Sequence, residues 1–101
     1  MNNSFSDLSA FTSLPTPVSV STSMAMAEKR RRKALHLTQK ALAEKTLVSL
    51  GSLKRFEQQG EISLSSLLRI AFVLDCLSDF AAVFSKPVYR NIDDVLKAKS
   101  R

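Results

Sequence analysis

Thr38-Gln39-Lys40-Ala41-Leu42-Ala43-Glu44-Lys45-Thr46-Leu47-Val48-Ser49-Leu50-Gly51-Ser52-Leu53-Lys54-Arg55-Phe56-Glu57 reads as two short helices joined by one tight turn. Thr38 stands before the polar pair Gln39–Lys40 and the run Ala41-Leu42-Ala43, the place of an N-cap. Its side-chain oxygen can accept from a backbone N–H that the helix leaves unpaired, a contribution of about 1 kcal/mol. The first helix is expected over 38–45, the turn over 46–48 and the second helix from Ser49 to a stop at Gly60. Leu42 and Ala43 face inward on the first helix, Leu53 and Phe56 on the second, and Val48 fills the angle. Such an apolar wedge holds two helices at a wide angle, as in a helix-turn-helix. The second helix then presents Leu50, Gly51, Ser52, Lys54 and Arg55 outward. A helix of this width fits the major groove of DNA, where an arginine can pair with both acceptors of a guanine.

Working outward, the chain has only two glycines, Gly51 and Gly60, and three prolines near its ends, so its long middle favours helices. Ser63 starts a further helix over 64–74 with Leu64, Leu67, Leu68 and Ala71 on one face, and Ser78 with Asp79 starts another that ends near Phe84. Upstream, about residues 21–35 form the first long helix, with Met24, Ala27 and Leu35 as its apolar positions. No alternating strand pattern occurs. The expected fold is all-α: five helices and short turns in a domain over 23–85. A flexible Ser/Thr/Pro leader over 1–22 precedes it, with Phe5, Leu8, Phe11 and Leu14 at a spacing of three. A basic tail over 86–101 follows, with a short helix at Ile92–Lys97 capped by Asn91.

The charge is uneven. Residues 28–60 hold nine Lys/Arg against three Asp/Glu, a net of +6, while 61–85 sum to −2, 86–101 to +3 and 1–27 to −1. Positive charge gathered on the segment that carries the motif suits a nucleic-acid-binding face. The single Cys76 sits in an apolar run and is read as a small hydrophobe. No run approaches a membrane span and the N-terminus does not resemble a signal peptide, so a cytoplasmic, nucleoid-associated protein is expected. His36 has no second His or Cys at metal-ligand spacing. No nucleophile–base set, phosphate loop or carboxylate pair stands out, so no catalytic residue, metal or cofactor is assigned, and the chain is not expected to be an enzyme.

The run LTQKALAEKTLVSLGSLKRFEQQGEISLSSLLRIAFVL, with its residues, spacing and two following helices, resembles the Cro/repressor-type (XRE) helix-turn-helix family and its lambda-repressor-like fold. The resemblance covers about residues 28–84. It implies a phosphate contact for Gln39, with Lys40 beside it, base contacts from Leu50, Gly51, Lys54 and Arg55, and backbone contacts from Ser49 and Ser52. It further implies a bracing salt bridge between Arg32 and Glu57. Leu47 and His36 stand where the family often has glycine. If both are left-handed, each costs on the order of 1–2 kcal/mol, Leu47 being the worse fit. Arg31 replaces a usual apolar residue, and its stem is expected to pack while its head reaches water. The surplus of apolar residues over 64–84, with Ile70, Val73, Leu77, Phe80 and Phe84 singled out, is expected to meet another chain, most simply a second copy on an inverted repeat. Residues 49–71 and the leader are further similar to HipB-type antitoxins, whose partners resemble HipA kinases. That similarity implies an autoregulating antitoxin with arms in the leader and the tail; the alternative is a stand-alone regulator.

Overall fold

The computed structural model describes residues 14–88 and 92–99. Five helices, α1 (Pro17–Ala34), α2 (Gln39–Thr46), α3 (Leu50–Gln59), α4 (Leu64–Val73) and α5 (Leu77–Ala81), form the body. The tail carries a sixth, α6 (Ile92–Lys99). Among the described residues there is no strand. The body is built around Leu42, Ala43, Val48, Leu53, Ile70 and Leu74, with Phe56 also fully buried. The wedge read from the sequence is therefore the centre of the core.

Serine and threonine start most of the helices. Thr38, Ser49 and Ser63 each accept from the backbone N–H three residues on, from Ala41, Ser52 and Ser66 respectively. α1 begins earlier than expected. Thr16 caps it in a reciprocal box with Ser19, and Pro17 supplies the fixed φ of a first helical residue. Residues 17–22 are thus helix, not leader. They also make a close helix–helix contact: a Cβ added at Gly60, whose φ of 72° already favours glycine, would lie 3.0–3.2 Å from atoms of Ser21. Residues 1–13, and with them Phe5, Leu8 and Phe11, lie outside the described residues, as does the proposed cap Asn91.

Three turns share one construction. After α1, Leu37 N–H donates to Arg32 C=O and His36 N–H to Lys33 C=O; after α4, Cys76 N–H donates to Ala71 C=O and Asp75 N–H to Phe72 C=O. After α2, Val48 N–H and Leu47 N–H both reach Ala43 C=O. These are Schellman-type endings, which place one residue in the left-handed region. His36, Leu47 and Asp75 occupy it at φ of 58–59°. Histidine and aspartate tolerate that region, whereas leucine has no local hydrogen bond to offer in return. Leu47→Gly removes that strain but gives back some unfolded-chain entropy, about 0.4–1 kcal/mol. The expected net result is about 0.5–1 kcal/mol of added monomer stability, read by urea unfolding of dilute protein. A loss of stability would contradict the strain.

The helix faces differ from expectation in places where polar side chains are buried. α1 buries Ala25, Glu28 and Arg32, and Leu35 is exposed. The 3.6-residue period holds, but two of its three buried positions are ionisable. In α4 the buried residues are Ile70 and Ala71, while Leu64 is exposed. Ile70, expected on a partner surface, is 1% exposed and belongs to the core. α5 starts at Leu77, and no side chain caps it, so Ser78 and Asp79 are inside the helix instead of before it. Cys76 is half-buried against the core.

Candidate nucleic-acid interface

α3 is the element that separates an inner from an outer face most cleanly. Leu53 and Phe56 are buried, while Gly51, Ser52, Lys54 and Arg55 are exposed. Leu50 departs from expectation: it is half-buried and packs against the core cluster. It lies one turn before Leu53, so the period that buries Leu53 carries Leu50 to the core's edge. The outward set is therefore Gly51, Ser52, Lys54 and Arg55. Around Gly51 there is nothing within 4 Å of an added Cβ, so no neighbour within the chain requires glycine there. A helical glycine costs about 1 kcal/mol relative to alanine, and what it leaves bare is backbone at the start of the outward face.

Arg55 is held in place by Glu61, with Nη2 2.7 Å and Nε 3.2 Å from one carboxylate oxygen. Both side chains are about two-thirds exposed, at 64% and 60%. Exposed pairs of this kind contribute roughly 0–1 kcal/mol. The guanidinium is thus aligned yet cheaply released to a base or phosphate. Ser49 Oγ donates to Ser52 Oγ at 2.8 Å, which leaves the Ser52 hydroxyl hydrogen free for an acceptor outside the chain. Ser52 and Arg55 share a polar hollow of about 300 Å³ with Ser63 and Ser66 at the start of α4. Ser63 was read from the sequence only as a helix start, and Ser66 was not singled out.

Behind this face sits a buried polar cluster. Arg32 donates to Glu57 twice, Nε to Oε2 at 2.8 Å and Nη2 to Oε1 at 2.9 Å, and its Nη1 donates to Leu37 C=O at 2.8 Å. The predicted brace between Arg32 and Glu57 is in place, with side chains only 7% and 2% exposed. Gln39, expected at a phosphate, donates from Nε2 to Glu57 Oε1 at 3.0 Å. It is half-buried in that role and ties the start of α2 to α3; Lys40 beside it is exposed. Burial would raise the Glu57 carboxyl, but hydrogen bonds, that from Arg32 foremost, hold it below its usual range. Glu28 was not singled out in the sequence. It is buried, and neither of its oxygens reaches a hydrogen-bond partner. Burial first, then the nearby Glu57 carboxylate, push it up to about 8. Arg31 also differs from expectation. Its head does not simply reach water but donates to Leu74 C=O at 2.6 Å and Asp75 C=O at 3.2 Å, closing the end of α4.

The pattern is a capped helix, a left-handed turn and a second helix with a small, cationic outer face, all braced from α1. Residues 29–79 match the family model described as Helix-turn-helix. The chain belongs to this Cro/XRE-type helix-turn-helix family. No curated protein and no solved structure matches it. As a helix-turn-helix protein it is a DNA-binding transcriptional regulator. No helix among the described residues is long and apolar enough to cross a membrane.

Of the residues expected on a partner surface, Val73 and Leu77 line one groove of this helix-turn-helix domain, together with Leu47, Leu68 and Phe72. Phe80 lines a different hollow with Met24 and Ala27. Phe84 follows α5, fully exposed and at a φ of 67°.

Proposed function

We propose that this regulator is a dimeric repressor that reads an inverted-repeat operator through the outer face of α3. The observation that carries this is the division of α3: Leu53 and Phe56 fixed in the core, Gly51, Ser52, Lys54 and Arg55 presented outward. Lys54 and Arg55 read base edges, and Gly51 allows the helix backbone to come close to the groove. Ser49, Ser52 and Lys40 position the domain on phosphates, and Gln39 holds α2 to α3. Two copies place two such helices about one helical turn apart on DNA.

The test is a binding series on operator and random duplexes. Arg55→Ala is expected to lose about 1–3 kcal/mol on the operator, the discrimination of one bidentate base contact, and to relax sequence preference. Lys40→Ala is expected to weaken both duplexes alike and to lower the salt dependence, as a phosphate contact does. An equal loss on both duplexes for Arg55→Ala would remove its base-reading role.

The finer reading is an antitoxin that neutralises a HipA-like kinase and represses its own operon. Its support is the similarity of residues 49–71 and the leader to HipB-type antitoxins. Co-purification with the product of the neighbouring gene tests it. A solitary gene would favour a stand-alone regulator.

A further inference from the structure

The groove beside the helix-turn-helix turn is an apolar hollow of about 460 Å³ whose walls come from Leu47, Leu68, Phe72, Val73 and Leu77. Two of these side chains stand largely in solvent, Leu47 at 84% and Phe72 at 71% exposed. Leu47 is unfavourable twice over: it is apolar and bare, and it holds the strained left-handed position. Lys45 and Arg69 flank the hollow. Among the described residues neither has a carboxylate within ion-pair distance.

The tail helix α6 has the opposite needs. At eight residues it is well short of the roughly 12–15 at which an isolated helix becomes even marginally stable in water, so it needs a surface to pack on. Ile92 and Leu96 stand one turn apart on one face and are 72% and 58% exposed. Asp93, also exposed, lies three residues before Leu96 and next to that face. An apolar pair with an adjacent carboxylate complements an apolar groove rimmed by two unpaired cations.

We propose that α6 of a second copy of this chain docks in the groove between the Leu47 turn and α4–α5, so that two copies exchange their C-terminal helices. The inference rests on the dimer reading above and names its contact. Docked within its own copy, α6 would cover the apolar face that a dimer needs. Exchanged, it covers the groove and joins the copies at once. The ten residues between α5 and α6 span at most about 33 Å, the reach open to the exchange. Leu47 and Phe72 then grip Ile92 and Leu96, and Asp93 meets Arg69 or Lys45.

The test uses full-length chains with Cys76→Ala, one carrying Phe72→Cys and the other Leu96→Cys, mixed in equal amounts and mildly oxidised. A disulfide joining the two variants in most of the protein is expected. In sedimentation, Leu96→Asp is expected to raise the dimer Kd at least tenfold while the helical melt of the body stays unchanged. If sedimentation shows a dimer but no mixed disulfide forms and Leu96→Asp has no effect, the exchange is wrong while the dimer stands. A chain carrying both cysteines that closes on itself at high dilution, with no covalent dimer at any concentration, also overturns the exchange. A full chain that is monomeric throughout removes the dimer reading itself.

Discussion

Arg32→Ala is expected to cost the domain about 3–5 kcal/mol, the loss typical when one partner of a buried ion pair is removed. Small domains have about 5–15 kcal/mol in total, so this variant would be close to unfolded at physiological temperature. The size follows from what Arg32 leaves behind. Glu57 loses two charge-assisted hydrogen bonds and keeps only the neutral donor Gln39. Leu37 C=O loses the Nη1 donor at the end of α1. Glu28, already without a hydrogen-bond partner, loses the neighbouring cation that most favours its charged form. Urea unfolding with far-ultraviolet dichroism measures the loss. A drop below 1 kcal/mol would mean that water reaches the cluster and that its burial counts for little. The double variant Arg32→Met with Glu57→Leu separates the pair from the space it fills. Replacing a buried pair by apolar groups of similar volume is often neutral or stabilising, so the double variant should be markedly more stable than Arg32→Ala.

This cluster also shows where sequence reasoning succeeded and where it stopped. Thr38, Ser49, Ser63 and Gly60 carry their conformations in their side chains, or in the lack of one, so the start of α2, both ends of α3 and the start of α4 were legible. The left-handed residues at 36 and 47 were legible from the family resemblance, since both stand where the family often has glycine. The Arg32–Glu57 brace was legible from family resemblance alone. Glu28 was not. Hydrophobic periodicity looks for apolar stripes, and the buried stripe of α1 is Ala25, Glu28 and Arg32. Leu50 was misplaced because it was counted with the residues left over once Leu53 and Phe56 were turned inward, whereas its spacing of three before Leu53 pointed to the core. Ile70 was misplaced for a different reason. α4 and α5 hold more apolar residues than one stripe accommodates, and only the packing of α2 and α3 against them decides which are covered. In the interface, Lys54 and Arg55 were legible as outward cations, but the Glu61 contact that aligns Arg55 depends on the loop after Gly60.

Glu28→Gln is expected to stabilise the protein increasingly as pH rises above about 5, and to flatten its stability profile up to about pH 8. The sign follows from the two carboxyls behind α3. An acid whose folded pKa is raised holds a proton in the folded state that the unfolded state has already released. For Glu28 that window runs from its ordinary 4.5 to about 8. Across it the folded state binds more protons than the unfolded one, so stability falls with rising pH, by roughly 1.4 kcal/mol per pH unit for one full proton. Glu57 works the other way. Its folded value is depressed, so its contribution is present above the unfolded value of 4.5 and is lost as pH falls through the lower folded value. Together the two place the optimum of this cluster near pH 5. At neutral pH the protonated Glu28 carries no charge to repel Glu57. Glutamine is likewise neutral and does not titrate. Urea midpoints at pH 5, 6.5 and 8 provide the measurement: the native chain should lose stability steadily over this range, and the variant should lose much less. Parallel profiles would show that Glu28 is ionised throughout and that water or a shift of α1 supplies its missing partner. Arg32→Ala adds a cross-check, since removing the cation that depresses Glu57 should raise that carboxyl and flatten the acid limb of the same curve.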